Sequence, residues 1–309
     1  MHLLIPHAAA LGDACPAALA QTPLPRLAEL LARLRPTARA GDDEFSPAMP
    51  HEARLAQLRG EPAGAVPTAA WLAGANGLDP REPWALLTPL HFAVGTDGVR
   101  ALAPEDFGAA EARAYFDLLA PLFPAVEGWR CHFAGPRQWL VGHASLADLA
   151  REAPVASVER VLARSVEPWM PAARRLRTLQ NEAQMLLHEH PLNQAREARG
   201  RAAVNSIWIS GCGASTGTAP PARLAIDARL SAALLAGDWP AWMAGWRELD
   251  AGPVQALLDA ARAGTAVTLT LAGERHAQTF EPAPANGLRG LWQRFRPPRA
   301  DVAAVLEAL

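Results

Sequence analysis

Leucines at 24, 27, 30, 31 and 34 recur at helical spacing, which predicts an amphipathic helix over Leu24–Leu34 with Pro25 in its first turn. A short apolar run, His2–Ile5, ends at Pro6 and predicts a first strand. Ala38–Pro47 is polar and without period, and predicts irregular chain. Pro50–Arg59 predicts a helix stopped by Gly60, and Val66–Ala73 a third. Trp84–Val94 and Val99–Leu102 flank Gly95-Thr96-Asp97-Gly98, a hairpin pattern. Ala109–Leu122 is strongly helical. Trp129–Phe133 and Gln138–Val141 flank a Gly135-Pro136 turn, a second hairpin. Hairpin, helix and hairpin fill Trp84–His143, a self-contained α+β block with the organisation of an insertion.

Helical pattern returns from Pro171 to about Glu189, where Pro191 breaks it. Asn193 is placed to cap a short helix that Gly200 ends. Val204–Ser210 is β-rich. Beyond Pro220-Pro221 the pattern gives two or three helices through Ala263, then a strand over Thr265–Leu271 and a closing helix over Ala300–Leu309. Mixed helices and strands in this order predict an α/β fold.

The chain has 309 residues, 50% of them hydrophobic and 19% charged, so it can build a packed core in one large domain or two ordinary ones. A net charge of -2 argues against a nucleic-acid partner. No run of about 18 apolar residues occurs and the first residues carry no basic region, so the expectation is a cytoplasmic protein with no membrane partner. Three separated cysteines, Cys15, Cys131 and Cys212, fit a reducing compartment without structural zinc. Lysine is absent, since all 29 basic residues are arginine. That removes Schiff-base chemistry and the P-loop lysine.

Candidate chemistry concentrates in Asn181–Gly213, NEAQMLLHEHPLNQAREARGRAAVNSIWISGCG. His190 ends one helix, Asn193 starts another, and Arg196 shares a face with Asn193. Asn205 opens a strand that runs out in Ser210-Gly211-Cys212-Gly213. His190, Asn193, Arg196 and Asn205, with Gly211 and Gly213 after them, are thus candidate ligand contacts at turns and element ends, suited to one anion. The opposing reading makes Asn193 a cap and His190 a packed helix end.

The run H-P-L-N-x-x-R-x-x-x-G followed by V-N-S-I-W-I-S-G-C-G resembles the archaeal-type cofactor-independent phosphoglycerate mutases, of the alkaline-phosphatase superfamily. Those carry H-P-V-N-x-x-R-x-x-G and then P-A-N-x-x-W-x-x-G-x-G. Thr22-Pro23-Leu24-Pro25-Arg26-Leu27 is similar to their T-P-N-L-D-x-L, and Pro50–Gly60 lies where they have the nucleophile helix. The overall pattern also resembles the RpfE-type regulatory group. The likeness spans roughly Met1–Gly213. It implies an alkaline-phosphatase-like core sheet flanked by helices, from residues 1–77 plus 207–309, with an inserted α+β subdomain over 78–206.

The resemblance also implies two divalent metals and a serine that carries the phosphoryl group. Here the chain departs. Where the first strand should end in Asp-Gly, it has Pro6-His7, and the nucleophile position falls at about His51, beside Glu52. Ser46 lies nearby but precedes Pro47 in a loop. The late Asp and His ligands have no clear counterpart. The expectation is therefore a catalytically degenerate protein with no catalytic residue, no metal ligand and no cofactor, binding a small phosphorylated acid in a regulatory role. Two alternatives stand beside it. One is an active metal-dependent phosphoryl-transfer enzyme, mutase or phosphatase, which would need divalent metals. The other is a protein-interaction module with a protein partner.

That last alternative rests on Trp239, Trp242 and Trp246, spaced on one helix face that Asp238 is placed to cap. Core packing is the competing reading of the stripe. Arg289, Arg294, Arg296 and Arg299 form a basic run that reads as a solvated face. His188 and His190 point to nearly opposite sides of a regular helix and chelate nothing together there. The loop Gly211–Gly217 follows a strand but has Thr216 where a dinucleotide loop wants glycine, and Pro220-Pro221 block a helix. A nest of backbone N–H groups for phosphate stays open as a use for it. Cys212 reads as a buried bystander.

Overall fold

The computed structural model describes residues 1–96, 98–282 and 300–309. The chain divides into two compact units, Met1–Leu58 with Ala219–Leu309, and Arg59–Thr218. It opens with β1 (His2–Ile5), α1 (Ala14–Ala20), α2 (Pro25–Leu31), β2 (Leu34–Ala40) and α3 (Pro50–Arg59). The second unit contributes α4 (Thr68–Ala75), β3 (Trp84–Gly95), β4 (Gly98–Leu102), α5 (Ala109–Leu119), β5 (Arg130–Gly135), β6 (Gln138–Gly142), α6 (Ser145–Glu152), α7 (Val158–Val161), α8 (Arg174–Leu187), α9 (Pro191–Glu197) and β7 (Ser206–Gly213). The first unit resumes with β8 (Leu224–Ile226), α10 (Arg229–Leu235), α11 (Trp239–Leu249), α12 (Gln255–Arg262), β9 (Thr268–Ala272), β10 (Ala277–Pro282) and α13 (Val302–Glu307).

In the first unit the strands run in the order β2-β10-β9-β1-β8. β1 lies parallel to both β8 and β9, while β10 runs antiparallel to β9 and to β2. The period of two explains the layers. Leu3, Ile5, Leu269, Leu271 and Phe280 enter one large cluster with α1, α2, α11, α12 and α13. Residues of the opposite parity, Ala272 and Ala277, meet Ala40 and Ala53 of α3. Helices therefore cover both faces, as an α/β sheet with a parallel centre requires.

Residues 41–47 carry neither helix nor strand, while β2 takes in Leu34, where the predicted helix ends, and only residues 38–40 of the stretch expected to be irregular. Its pattern is polar because it is an edge strand, exposed over most of its length. Pro36 is tolerated there beside the register shift at Thr279/Phe280, where Pro36 faces Phe280. The tryptophan stripe is core: Trp242 and Trp246 are fully buried, and their rings meet edge-to-face at 6.1 Å. Asp238 caps α11, its Oδ1 accepting from Ala241 N at 3.0 Å. The face proposed for a protein partner is thus turned inward at these two positions. The basic run Arg289–Arg299 and Asp97 of the first hairpin lie outside the described residues.

The second unit is an antiparallel sheet, β4-β3-β6-β5, with β7 also paired to β3. Ala85, Leu87, Val141, Ile207 and Ile209 pack with α5 and α8. Trp84 and Leu140 pack with α4 on the other side. The unit starts at Arg59 and ends at Thr218, so both α4 and β7 belong to it. The sequence reading put the crossings at 77/78 and 206/207, inside this unit.

Candidate functional site

The residues singled out by sequence lie in the second unit, and they fasten the chain between α8 and β7. α8 ends at Leu187, and Glu189 turns the chain with φ +51. The cap of α9 is His190, not Asn193: His190 Nδ1 accepts from Leu192 N at 3.2 Å. Asn193 lies inside the first turn of α9 and is buried. Its Oδ1 accepts from Val204 N (2.9 Å) and Tyr115 OH (2.6 Å), and its Nδ2 donates to Leu187 O (2.8 Å) and Val204 O (2.9 Å). Asn205 does the same for a strand end, accepting from Phe92 N at 2.6 Å and donating to Phe92 O at 3.0 Å.

Arg196, the expected ligand contact, is closed inside the protein at 1% exposure. Nε donates to Ala202 O (2.9 Å), one terminal nitrogen to Glu111 Oε2 (2.8 Å), the other to Glu105 O (2.9 Å). Its guanidinium also lies over the Phe107 ring at 5.4 Å. Each of the three nitrogens gives a hydrogen bond to an internal acceptor, and the buried group is held by Glu111 rather than open to an anion. Gly211 and Gly213 have positive φ, +61 and +127. A Cβ at Gly211 would run into Thr68 at the start of α4, and one at Gly213 would sit 3.3 Å from Ala150 Cβ of α6. Close packing against two helices accounts for both. Cys212 packs partly buried against the core, and desolvation pushes its thiol up to about 12. It is no thiolate nucleophile at neutral pH. His188 is exposed, while its neighbour His190 is taken up as a cap.

A second constellation belongs to the first unit, at the C-terminal edge of the parallel strands, where α/β folds place their sites. His7 follows β1 and His51 sits in the first turn of α3; both are buried. Their rings lie 5.5 Å apart, centre to centre, with a ring nitrogen of each within 4.8 Å of the other. His7 stands at φ +55, a strained conformation for a residue with a side chain. Two bonds hold it there: Trp242 Nε1 donates to its carbonyl at 3.0 Å, and its Nδ1 meets Ser231 Oγ at 2.9 Å. The sequence marked His7 and His51 only as mismatches to a resemblance. Their adjacency comes from β1 and α3 ending at the same edge, which no local pattern encodes.

The carboxylates along that edge are engaged by neighbours. Asp227, after β8, is held by Arg229 through two bonds of 2.8 Å, which together lower its pKa. Glu44 is paired with Arg275 at 2.8 and 3.2 Å. Glu52 accepts from Met49 N at 2.8 Å, and Asp43 Oδ1 takes Phe45 N and the Ser46 hydroxyl. A pair of divalent cations for phosphoryl transfer needs several free carboxylate oxygens converging within about 4 Å. Two imidazoles, with these carboxylates held by arginine, backbone N–H groups or a serine hydroxyl, do not fit that pair.

No family model matches the chain, and no curated protein does either. Among solved structures the chain is similar to the cofactor-independent phosphoglycerate mutase from Thermoplasma acidophilum DSM 1728, with 14% identity and a TM-score of 0.39, covering 98% of this chain and 94% of that one. It is also similar to the PH0037 protein from Pyrococcus horikoshii, with 13% identity and a TM-score of 0.43, covering 91% of this chain and 87% of that one. At such identities the likeness carries neither activity nor substrate to this chain.

Proposed function

We propose that this protein is a catalytically degenerate phosphoglycerate-mutase-like protein, of the RpfE-type regulatory kind, that acts by binding a small phosphorylated acid rather than by turning it over. One observation carries the reading. Where the sequence resemblance expects a metal-binding carboxylate the chain has Pro6, followed by His7, and the position of the phosphoryl-accepting serine falls at about His51; His7 and His51 lie side by side and buried. A proline with no ligand atom stands in place of the hard oxygen donor and an imidazole in place of the hydroxyl, so neither half of the two-metal chemistry has its residue. The H-P-L-N-x-x-R motif supports the reading in a second way: its polar groups are spent on backbone and on Glu111, as a retained scaffold would spend them.

Ser231 favours one alternative. Its hydroxyl lies 2.9 Å from His7 Nδ1, the arrangement of a hydroxyl nucleophile beside a base. On that reading the protein is a phosphatase or mutase whose serine comes from α10 instead of α3. Thermal-shift titration with 3-phosphoglycerate separates the readings from plain scaffolding. A saturable rise in melting temperature with the ligand recovered intact supports binding without turnover; a flat titration contradicts it.

A further inference from the structure

The irregular segment between α3 and α4 places Glu61 in a cradle of donors from the second unit. Ser215 Oγ and Trp71 Nε1 (2.8 Å) donate to Oε1, while the backbone N–H groups of Thr216 and Gly217, each at 3.1 Å, donate to Oε2. Successive backbone N–H groups in a turn form an anion-binding concavity. Gly217 makes the close approach available: a Cβ there would lie 2.6 Å from the Arg59 carbonyl oxygen and 2.8 Å from Glu61 Oε1. Ser215 is buried, whereas Glu61 keeps part of its surface exposed.

Arg59 adds a cation to this cradle. Its guanidinium lies 4.8 Å from the centre of the Trp71 ring. Its terminal nitrogen reaches Thr218 O only at 3.5 Å, and its Nε is buried with no hydrogen-bond partner among the described residues. A buried, unsatisfied guanidinium N–H is costly and calls for an acceptor. The carboxylate of Glu61 has two oxygens, and each already takes two donors. A phosphoryl group has a third terminal oxygen and a second negative charge, which is what an arginine fork accommodates.

We propose that the 215–217 turn, with Trp71 and Arg59, is a binding site for a small phosphomonoester, and that the Glu61 carboxylate is an internal stand-in which the ligand displaces. The site uses neither His7 nor His51 and stands whether or not the protein is catalytically degenerate. Ligand entry breaks the four bonds of Glu61 and leaves the backbone bond from Thr218 N to Arg59 O, at 2.8 Å, in place.

Calorimetric titration of the full chain with inorganic phosphate is the test. Glu61→Ala empties the cradle and should tighten phosphate by about ten-fold or more over wild type. Adding Arg59→Gln should remove that gain, and acetate, with two oxygens and one charge, should gain far less than phosphate. A folded Glu61→Ala protein with wild-type phosphate affinity, or a gain indifferent to Arg59→Gln, overturns the proposal. If Glu61→Ala does not fold, wild type decides: millimolar phosphate must move the Trp71 indole N–H signal, assigned with Trp71→Phe, saturably in a ¹H–¹⁵N spectrum. A stationary signal is equally fatal.

Discussion

Trp242 gives its indole N–H to the backbone carbonyl of His7 at 3.0 Å. A fully buried core residue thereby fixes the left-handed backbone of a residue at the candidate site. Strain of this kind persists only where its surroundings impose it. Trp242→Ala should cost about 3–5 kcal/mol through the cavity it leaves. Trp242→Phe keeps most of the packing and should cost about 1–3 kcal/mol, largely from the orphaned His7 carbonyl. Urea unfolding of the two variants measures both, and a Trp242→Phe protein as stable as wild type would show that the hydrogen bond contributes nothing.

The motif between α8 and β7 should behave as scaffold. Asn193→Ala orphans the Val204 N–H and the Tyr115 hydroxyl at once, with an expected loss of at least about 2 kcal/mol. Arg196→Met removes a buried guanidinium from Glu111, which keeps Arg199 at 2.6 Å as a remaining partner. Its loss should fall near the lower end of the buried-pair range, about 3 kcal/mol. Melting curves without ligand check these values. An Arg196→Met protein that melts with wild type would return the residue to the list of ligand contacts.

How legible was this in the sequence? α3 runs over the stretch its pattern predicts, because Pro50 and Gly60 punctuate it from both sides. The hairpins on either side of α5 also follow their turn residues. The missed strands β2 and β10 share a cause: Arg35, Thr37, Gln278 and Glu281 break the alternation at and beside the sheet edge, and pairing with each other replaces it as the source of order. The two compact units divide at 58/59 and 218/219, and β7 joins β3 by long-range pairing that local pattern does not record. The motif residues were found, but their use was not. Whether a guanidinium meets a ligand or Glu111 depends on α5, 85 residues earlier. Glu61, with its donors about 155 positions on, gave no signal at all.

Acid should weaken the first unit through His2. Burial, aided by the nearby Arg54 charge, lowers its pKa from 6.5 to about 4; its Nε2 lies 2.9 Å from Thr270 Oγ1. Between those values the unfolded chain binds a proton that the native state does not, so stability must fall as pH drops from 6.5 towards 4 and level off below. His2→Gln cannot titrate and should flatten this part of the curve. Urea midpoints of wild type and variant between pH 7 and pH 4 check it; parallel curves would remove His2 as the cause.

Catalytic degeneracy at Pro6 and His51 is most directly tested by following 3-phosphoglycerate by ³¹P NMR in the presence of the purified full chain and manganese. The account predicts no 2-phosphoglycerate and no inorganic phosphate beyond the protein-free control. Manganese-dependent conversion that a chelator abolishes would contradict it, and loss of that conversion in Ser231→Ala would hand the chemistry to the serine beside His7.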